Sequence, residues 1–241
     1  MNKNFYWIGF LLFVGLNLLG EALQIQPLVW GTKPFLMIWL AVWFWQSTRC
    51  VPHPVRVPVV VALAFSAIAD AILLLPEWES GMRDFFLFGL TAFLVAHCFY
   101  VIALQILRKN DTLSVREKWI AAIVVLVLLV LLFQYFGDTD ALFPIVLYTS
   151  TLLVVLGMVL SLRTSVRGNL LLYGIVLFMA SDALVGAAFL QWIPKSGNAW
   201  YPLVRVAIMS LYVAGQVFLV RGVKTHLLPK DALRQSKTQI R

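Results

Sequence analysis

The chain has 241 residues, 61% hydrophobic and 12% charged, with a mean hydropathy of +0.89. A soluble domain carries about twice that charge fraction, so a water-soluble globule is excluded. The net charge of +8 does not require a nucleic-acid partner, because the basic residues are spread over loops with no binding fold; anionic membrane lipid accounts for them.

Apolar runs recur at the length that crosses a bilayer core, about 20 residues. They predict an all-α integral membrane protein, a bundle of eight transmembrane helices at 5–24, 34–47, 57–75, 85–107, 118–135, 141–162, 169–190 and 201–221. No stretch between spans can fold alone, so residues 1–241 read as one polytopic domain with a basic tail at 222–241. Met1-Asn2-Lys3 before an apolar run resembles a signal peptide. The run continues through Asn17, Gly20 and Glu21 without a small-x-small cleavage site, which makes it an uncleaved first span. The second run is short, and Lys33-Pro34 opens it.

Eight spans put both termini on one face with the loops after spans 2, 4 and 6. That face holds fifteen Lys and Arg, among them Arg49, Arg56, Arg221 and Lys224. The other face holds Lys33, Arg83 and Lys195, and Arg205 lies within span 8. The positive-inside bias places both termini in the cytoplasm, the expectation being a bacterial inner membrane. Cys50 at the end of span 2 and Cys98 mid-span in span 4 differ in depth by more than a disulfide reaches, so both read as free thiols.

Two aspartates stand out in this apolar frame. Ala69-Asp70-Ala71 and Ser181-Asp182-Ala183 lie deep in spans 3 and 7, where a lipid-facing aspartate costs about 2.5–3.5 kcal/mol. Neither has a basic residue within two turns of its own helix. Both spans run outward, which sets both carboxylates in the outer half of the membrane, Asp70 roughly 8–10 Å from the outer end. Glu21 falls in the outer half of span 1, with Asn17 on the same face. Lys33 and Arg205 flank the outer side, and His97 and Tyr100 share a face near the middle of span 4. Together these residues describe a polar pocket open to the outer leaflet. Simpler readings exist for several of them: Glu21 as a structural partner of Lys33, Lys33 and Arg205 snorkelling to headgroups, His97 in a helix–helix hydrogen bond, Tyr100 in packing. Two parallel four-helix halves would put Asp70 and Asp182 in equivalent positions.

A metal site is not expected, since His53 and His226 belong to the cytoplasmic face, away from His97. No cofactor motif is present either. Ser66 (i−4 to Asp70) and Ser181 have no histidine placed to activate them, and Ser66 reads as a hydrogen-bond partner orienting Asp70. Two carboxylates in a low-dielectric pocket suit general acid–base hydrolysis, one protonated as acid while the other activates water. Intramembrane aspartyl proteases also use such a pair, but their second aspartate follows Gly-x-Gly, where this chain has Met179-Ala180-Ser181.

Several motifs carry a resemblance: Lys33-Pro34; Ser66-x-x-x-Asp70 with Leu73 and Pro76; Gly89-Leu90-x-Ala92-Phe93-Leu94-x-Ala96-His97-x-x-Tyr100; and Phe178-x-x-Ser181-Asp182. They resemble the YhhN-like lysoplasmalogenase family of eight-span lipid hydrolases, from Lys33 to the end of span 8. Ala69 replaces an expected glycine before the first aspartate. The resemblance implies a lysophospholipid substrate: cleavage of the vinyl ether of a lysoplasmalogen to a fatty aldehyde and a glycerophospho-ethanolamine or -choline. Asp70 and Asp182 would form the acid–base pair, His97 and Tyr100 would orient water or a carboxylate, and Lys33 and Arg205 would lie near the phosphate. Glu21, Ser66 and Ser181 complete the expected substrate-binding or orienting set. The alternative is a transporter or exporter of a small amphiphile built around the same acidic pair.

Overall fold

The computed structural model describes residues 3–51, 53–75, 82–108, 142–162, 168–189 and 199–227. Among them are seven helices and no strand: α1 (Lys3–Leu23), α2 (Gln26–Ser47), α3 (Arg56–Leu74), α4 (Met82–Leu107), α5 (Leu142–Ser161), α6 (Gly168–Phe189) and α7 (Tyr201–Leu227). Six of these, all but α5, are long and apolar enough to cross a bilayer; α5 contributes the shorter apolar stretch Ile145–Ser161. The expected span at 118–135 and the tail beyond residue 227 lie outside the described residues. The chain is therefore a helical membrane protein with six helices long and apolar enough to span among the described residues, where eight spans were expected.

Chain-sequential helices pack in a ring, α1 through α6, and α7 closes it against α1 while also touching α2 and α4. The interior is apolar: Leu36, Leu40, Phe44, Val59, Leu63, Ile175 and Phe178 are buried. The outside is apolar too. Ile8, Leu12, Leu19 and Leu23 of α1 are 49–65% exposed, a stripe that lipid rather than water covers.

Two boundaries differ from the sequence expectation. The second helix begins at Gln26, not residue 34, so Lys33 and Pro34 sit two turns inside it. Pro34 looks like a helix opener because proline suits the first turn, yet Pro27 fills that role and Pro34 is accommodated within the helix. The last helix runs on to Leu227, six residues past the expected end of the eighth span at 221.

The early start of α2 follows from the turn before it. Gln24 takes φ +55°, Ile25 N–H donates to Gly20 O at 2.9 Å and Gln24 N–H to Glu21 O at 3.4 Å, a Schellman cap that reverses the chain within two residues. Leu28 N–H then donates to Ile25 O at 3.0 Å, starting the next helix at once. Further along the chain, α6 and α7 approach to backbone contact. A Cβ on Gly215 would lie 2.8 Å from Phe178 N and 3.0 Å from Gly174 O.

Two stability predictions follow from these geometries. Replacing Gln24 by Gly relieves a left-handed backbone that a side chain disfavours, and should raise the thermal midpoint in detergent, equivalent to about 0.5–1 kcal/mol; Gln24→Val should lower it. Gly215→Ala pushes backbone against backbone and should destabilise by about 1–3 kcal/mol. Gly15→Ala, on an open helix face, should be neutral or slightly stabilising in the same melting assay.

Candidate functional site

Asp70 lies in the last turns of α3, 2% exposed, and accepts a hydrogen bond at Oδ2 from the Tyr212 hydroxyl of α7 at 2.8 Å. One turn back, Ser66 accepts from Gln216 Nε2 at 3.3 Å and donates to Ala62 O at 3.0 Å. Gln216 in turn accepts at Oε1 from the Tyr100 hydroxyl of α4 at 2.6 Å. Tyr212 and Gln216 are four residues apart, as are Ser66 and Asp70, so antiparallel α3 and α7 meet through two polar rungs, and Tyr100 fastens α4 to the second.

Two expectations change here. Ser66 does not orient Asp70; its hydroxyl is engaged by Gln216 and its own helix, and Tyr212 holds the carboxylate. The Tyr100 hydroxyl donates to Gln216 rather than to either aspartate.

Asp182, half-buried on α6, accepts at Oδ2 from the Tyr148 hydroxyl of α5 at 2.5 Å. The neighbouring Ser181 donates to Ile208 O of α7 at 3.0 Å, making it a helix–helix clamp. The two carboxylates are close enough to interact electrostatically, and Tyr212 lies within reach of both. Their partners come from different helices, Asp70 from α7 and Asp182 from α5, so the two settings are not copies of one another. The Lys33 ammonium acts on Asp70 from α2, while no described cation acts on Asp182.

His97 of α4 lies between these elements, with its ring 5.2 Å from Tyr148 and 5.1 Å from Phe178, edge-on to both. Phe178 continues to Tyr212 at 5.6 Å. This aromatic group connects the surroundings of the two aspartates. His97 is 2% exposed, and its Nδ1 has no hydrogen-bond partner among the described residues. Leaving a buried polar atom unmet costs about 1–3 kcal/mol, so this nitrogen marks a place for a polar group to complete.

Glu21 is 2% exposed and forms an ion pair with Arg205 Nε at 2.5 Å, joining α1 to α7. Arg205, 20% exposed at the side chain, also donates to the Tyr201 hydroxyl at 3.4 Å. Glu21 is thus the partner of Arg205, not of Lys33, and Arg205 does not simply snorkel. Beside the pair, Asn17 Nδ2 donates to Thr32 Oγ1 at 2.9 Å, and Asn17 Oδ1 is a second buried atom without a described partner. Among the described residues, no three His, Cys, Asp or Glu side chains group as metal ligands.

Tyr148, Tyr212 and Gln216 escaped the sequence reading, although their spacing carried a signal. Tyr212 and Gln216 follow Arg205 at i+7 and i+11, on one face of α7. On α5, Thr149, Ser150 and Thr151 satisfy their hydroxyls on their own helix backbone, to Ile145 O, Val146 O and Tyr148 O. A tyrosine is too long for that, so Tyr148 had to find a partner on another helix.

A buried acidic pair with Lys33 two turns inside α2 is the geometry on which family membership bears. The profile of the YhhN family matches residues 28–223, about four-fifths of the chain. The chain belongs to the YhhN family. No curated protein and no solved structure matches it. The part that is YhhN-like runs from the first turn of α2 to the end of α7, and includes Lys33, Asp70, His97, Asp182 and Arg205. Asn17 and Glu21, on α1, stand before the match.

In this YhhN-family chain the Glu21–Arg205 pair ties α1 to the matched region. Glu21→Gln or Arg205→Gln alone leaves one charge in an apolar setting, so each should cost about 1–3 kcal/mol. The double variant should cost less than the sum. A double-mutant cycle on thermal unfolding in detergent measures the coupling.

Proposed function

We propose that this YhhN-family protein is a lysoplasmalogenase-type ether hydrolase that cleaves the vinyl ether of alkenyl glycerophospholipids by aspartate acid–base catalysis. The observation that carries the reading is a pair of carboxylates within electrostatic reach of each other, each held at one oxygen by a tyrosine from another helix. Such anchoring fixes Oδ2 of each carboxylate. The substrate is an amphiphile with one chain; in this reading the apolar helices surround the chain, with Lys33 and the Glu21–Arg205 pair toward its phosphate.

Lys33 gives Asp70 a counter-charge and Asp182 has none among the described residues, so this reading takes Asp70 as the base and Asp182 as the acid. Asp182 delivers its proton to C2 of the alkenyl chain, and C1 becomes an oxocarbenium centre. Water adds to C1 as Asp70 takes its proton. The resulting hemiacetal breaks its C–O bond to glycerol. Its hydroxyl proton passes to the Asp182 carboxylate and the proton on Asp70 goes to the departing glycerol oxygen, so both groups return to their starting states. The balance is one water consumed, one fatty aldehyde and one glycerophospho-headgroup released. His97 Nδ1, buried and unpartnered beside Tyr148, is placed to hold that water.

The same reading takes 118–135 and Leu142–Ser161 as the remaining two spans of eight. The basic bias of the loops then sets both termini in the cytoplasm of a bacterial inner membrane.

Purified protein in detergent should release aldehyde from a lysoplasmalogen. Asp70→Asn and Asp182→Asn should each lose at least about 10²-fold in kcat, the scale for losing a general acid or base, while eluting as folded protein. Near wild-type turnover in both variants, or no aldehyde from the wild type, would sink the reading. Turnover should persist in the presence of a chelator.

A further inference from the structure

The end of the bundle remote from the carboxylates carries a second arrangement that hydrolysis does not use. Trp7 of α1 and Trp43 of α2 lie with ring centroids 5.1 Å apart, and Trp7 stacks on Phe10 at 5.4 Å. Across this platform the last turns of α7 lay two cations. The Arg221 guanidinium carbon is 4.3 Å from the Trp7 ring centre and 6.0 Å from that of Trp43. The Lys224 ammonium is 4.6 Å from the Trp43 ring. Arg221 and Lys224 are one turn apart, so α7 presents them as a pair.

The cations at this end are not equivalent. Arg56 also sits over an indole, Trp45, at 4.0 Å, but its Nε donates to Thr48 Oγ1 and its Nη2 to Trp45 O, both at 3.1 Å. Its donors are consumed in closing the end of α2. Arg221 is exposed, and among the described residues it makes no hydrogen bond or ion pair. A guanidinium lying on an indole uses only its π face, so the in-plane N–H fork remains open to an oxyanion. Glu21, Asp70 and Asp182 are at the other side of the bundle. In the sequence this face offers fifteen Lys and Arg against Asp111, Glu117 and Asp231. An anion for the Arg221 fork therefore comes chiefly from outside the chain. The surface beside the platform indicates its source. Phe5, Ile8 and Leu12 of α1 are 56%, 65% and 62% exposed and continue from the level of Trp7 along the helix, an apolar track for acyl chains.

We propose that Trp7, Trp43, Arg221 and Lys224 form a binding site for an anionic glycerophospholipid, with the phosphate on the open fork of Arg221, the Lys224 charge beside it and the acyl chains along α1. The indoles hold the cations in place before the lipid arrives, which distinguishes a site from a diffuse basic surface. Basic residues near an anionic membrane surface contribute about fivefold in affinity each, so losing both cations should weaken binding about 25-fold.

The test compares purified wild type with Arg221→Gln/Lys224→Gln and Arg49→Gln, an exposed basic residue at the same end. Each is melted in detergent micelles containing phosphatidylcholine, phosphatidylglycerol, or phosphatidylcholine plus inorganic phosphate. Phosphatidylglycerol should raise the wild-type and Arg49→Gln midpoints and leave the double variant unmoved. Native mass spectrometry should show retained phosphatidylglycerol lost in the same pattern. Arg221→Lys, which keeps charge but not the stacked fork, should retain less lipid than wild type and serves if the double variant does not fold. An equal lipid effect in wild type and the cation variants overturns the proposal. So does an equal shift from inorganic phosphate, which would make the site one for soluble anions.

Discussion

A polar atom inside an apolar bundle has no water to fall back on and must be met by another helix. That constraint seats α7. Tyr212 meets Asp70, Gln216 meets Ser66 and Tyr100, Arg205 meets Glu21, and the Ile208 carbonyl meets Ser181. Lipid provides little hydrophobic drive between helices, so these hydrogen bonds and the glycine contacts with α6 select the register. Sliding α7 by one turn would orphan polar groups on α1, α3, α4 and α6 together.

The same constraint makes the two aspartates unequal. Asp70 is deeply buried, fixed by the central helix and faced by Lys33, whereas Asp182 is half-buried, fixed by α5 and without a described cation. Different neighbours, supplied by different helices, give each carboxylate its own surroundings. His97 stands between them with Nδ1 unmet among the described residues, in an aromatic group of Tyr148, Phe178 and Tyr212.

Much of this was legible in the chain. Apolar run lengths located the helices, and the isolation of Asp70 and Asp182 from basic neighbours marked them before any partner was visible. Glu21, Lys33, His97 and Arg205 were found for the same reason, being polar where polarity is costly. Partner identity was not legible, because it depends on which helices become neighbours in the ring. Ser66 and Asp70 share a helix face, yet the structure gives each its own rung on α7. Tyr148 and Tyr212 were hidden by their chemistry, since a tyrosine in an apolar helix packs as readily as it donates. The start of α2 was obscured by Pro34, while the signal that set it, a left-handed Gln24 after Gly20, has no conspicuous glycine at the turn.

Both ends of α7 are anchored by charge, Arg205 to the acid of α1 and Arg221 to the indoles of α1 and α2. Sixteen residues separate those anchors, about 24 Å of helix, a little less than the hydrocarbon thickness of an ordinary bilayer. The helix that carries Tyr212 is therefore also a gauge of the membrane around it. A thicker bilayer pulls its charged ends toward opposite headgroup layers, and the strain falls on the register between Tyr212 and Asp70 in between. Membrane thickness thereby becomes a variable that the buried hydrogen bonds can feel.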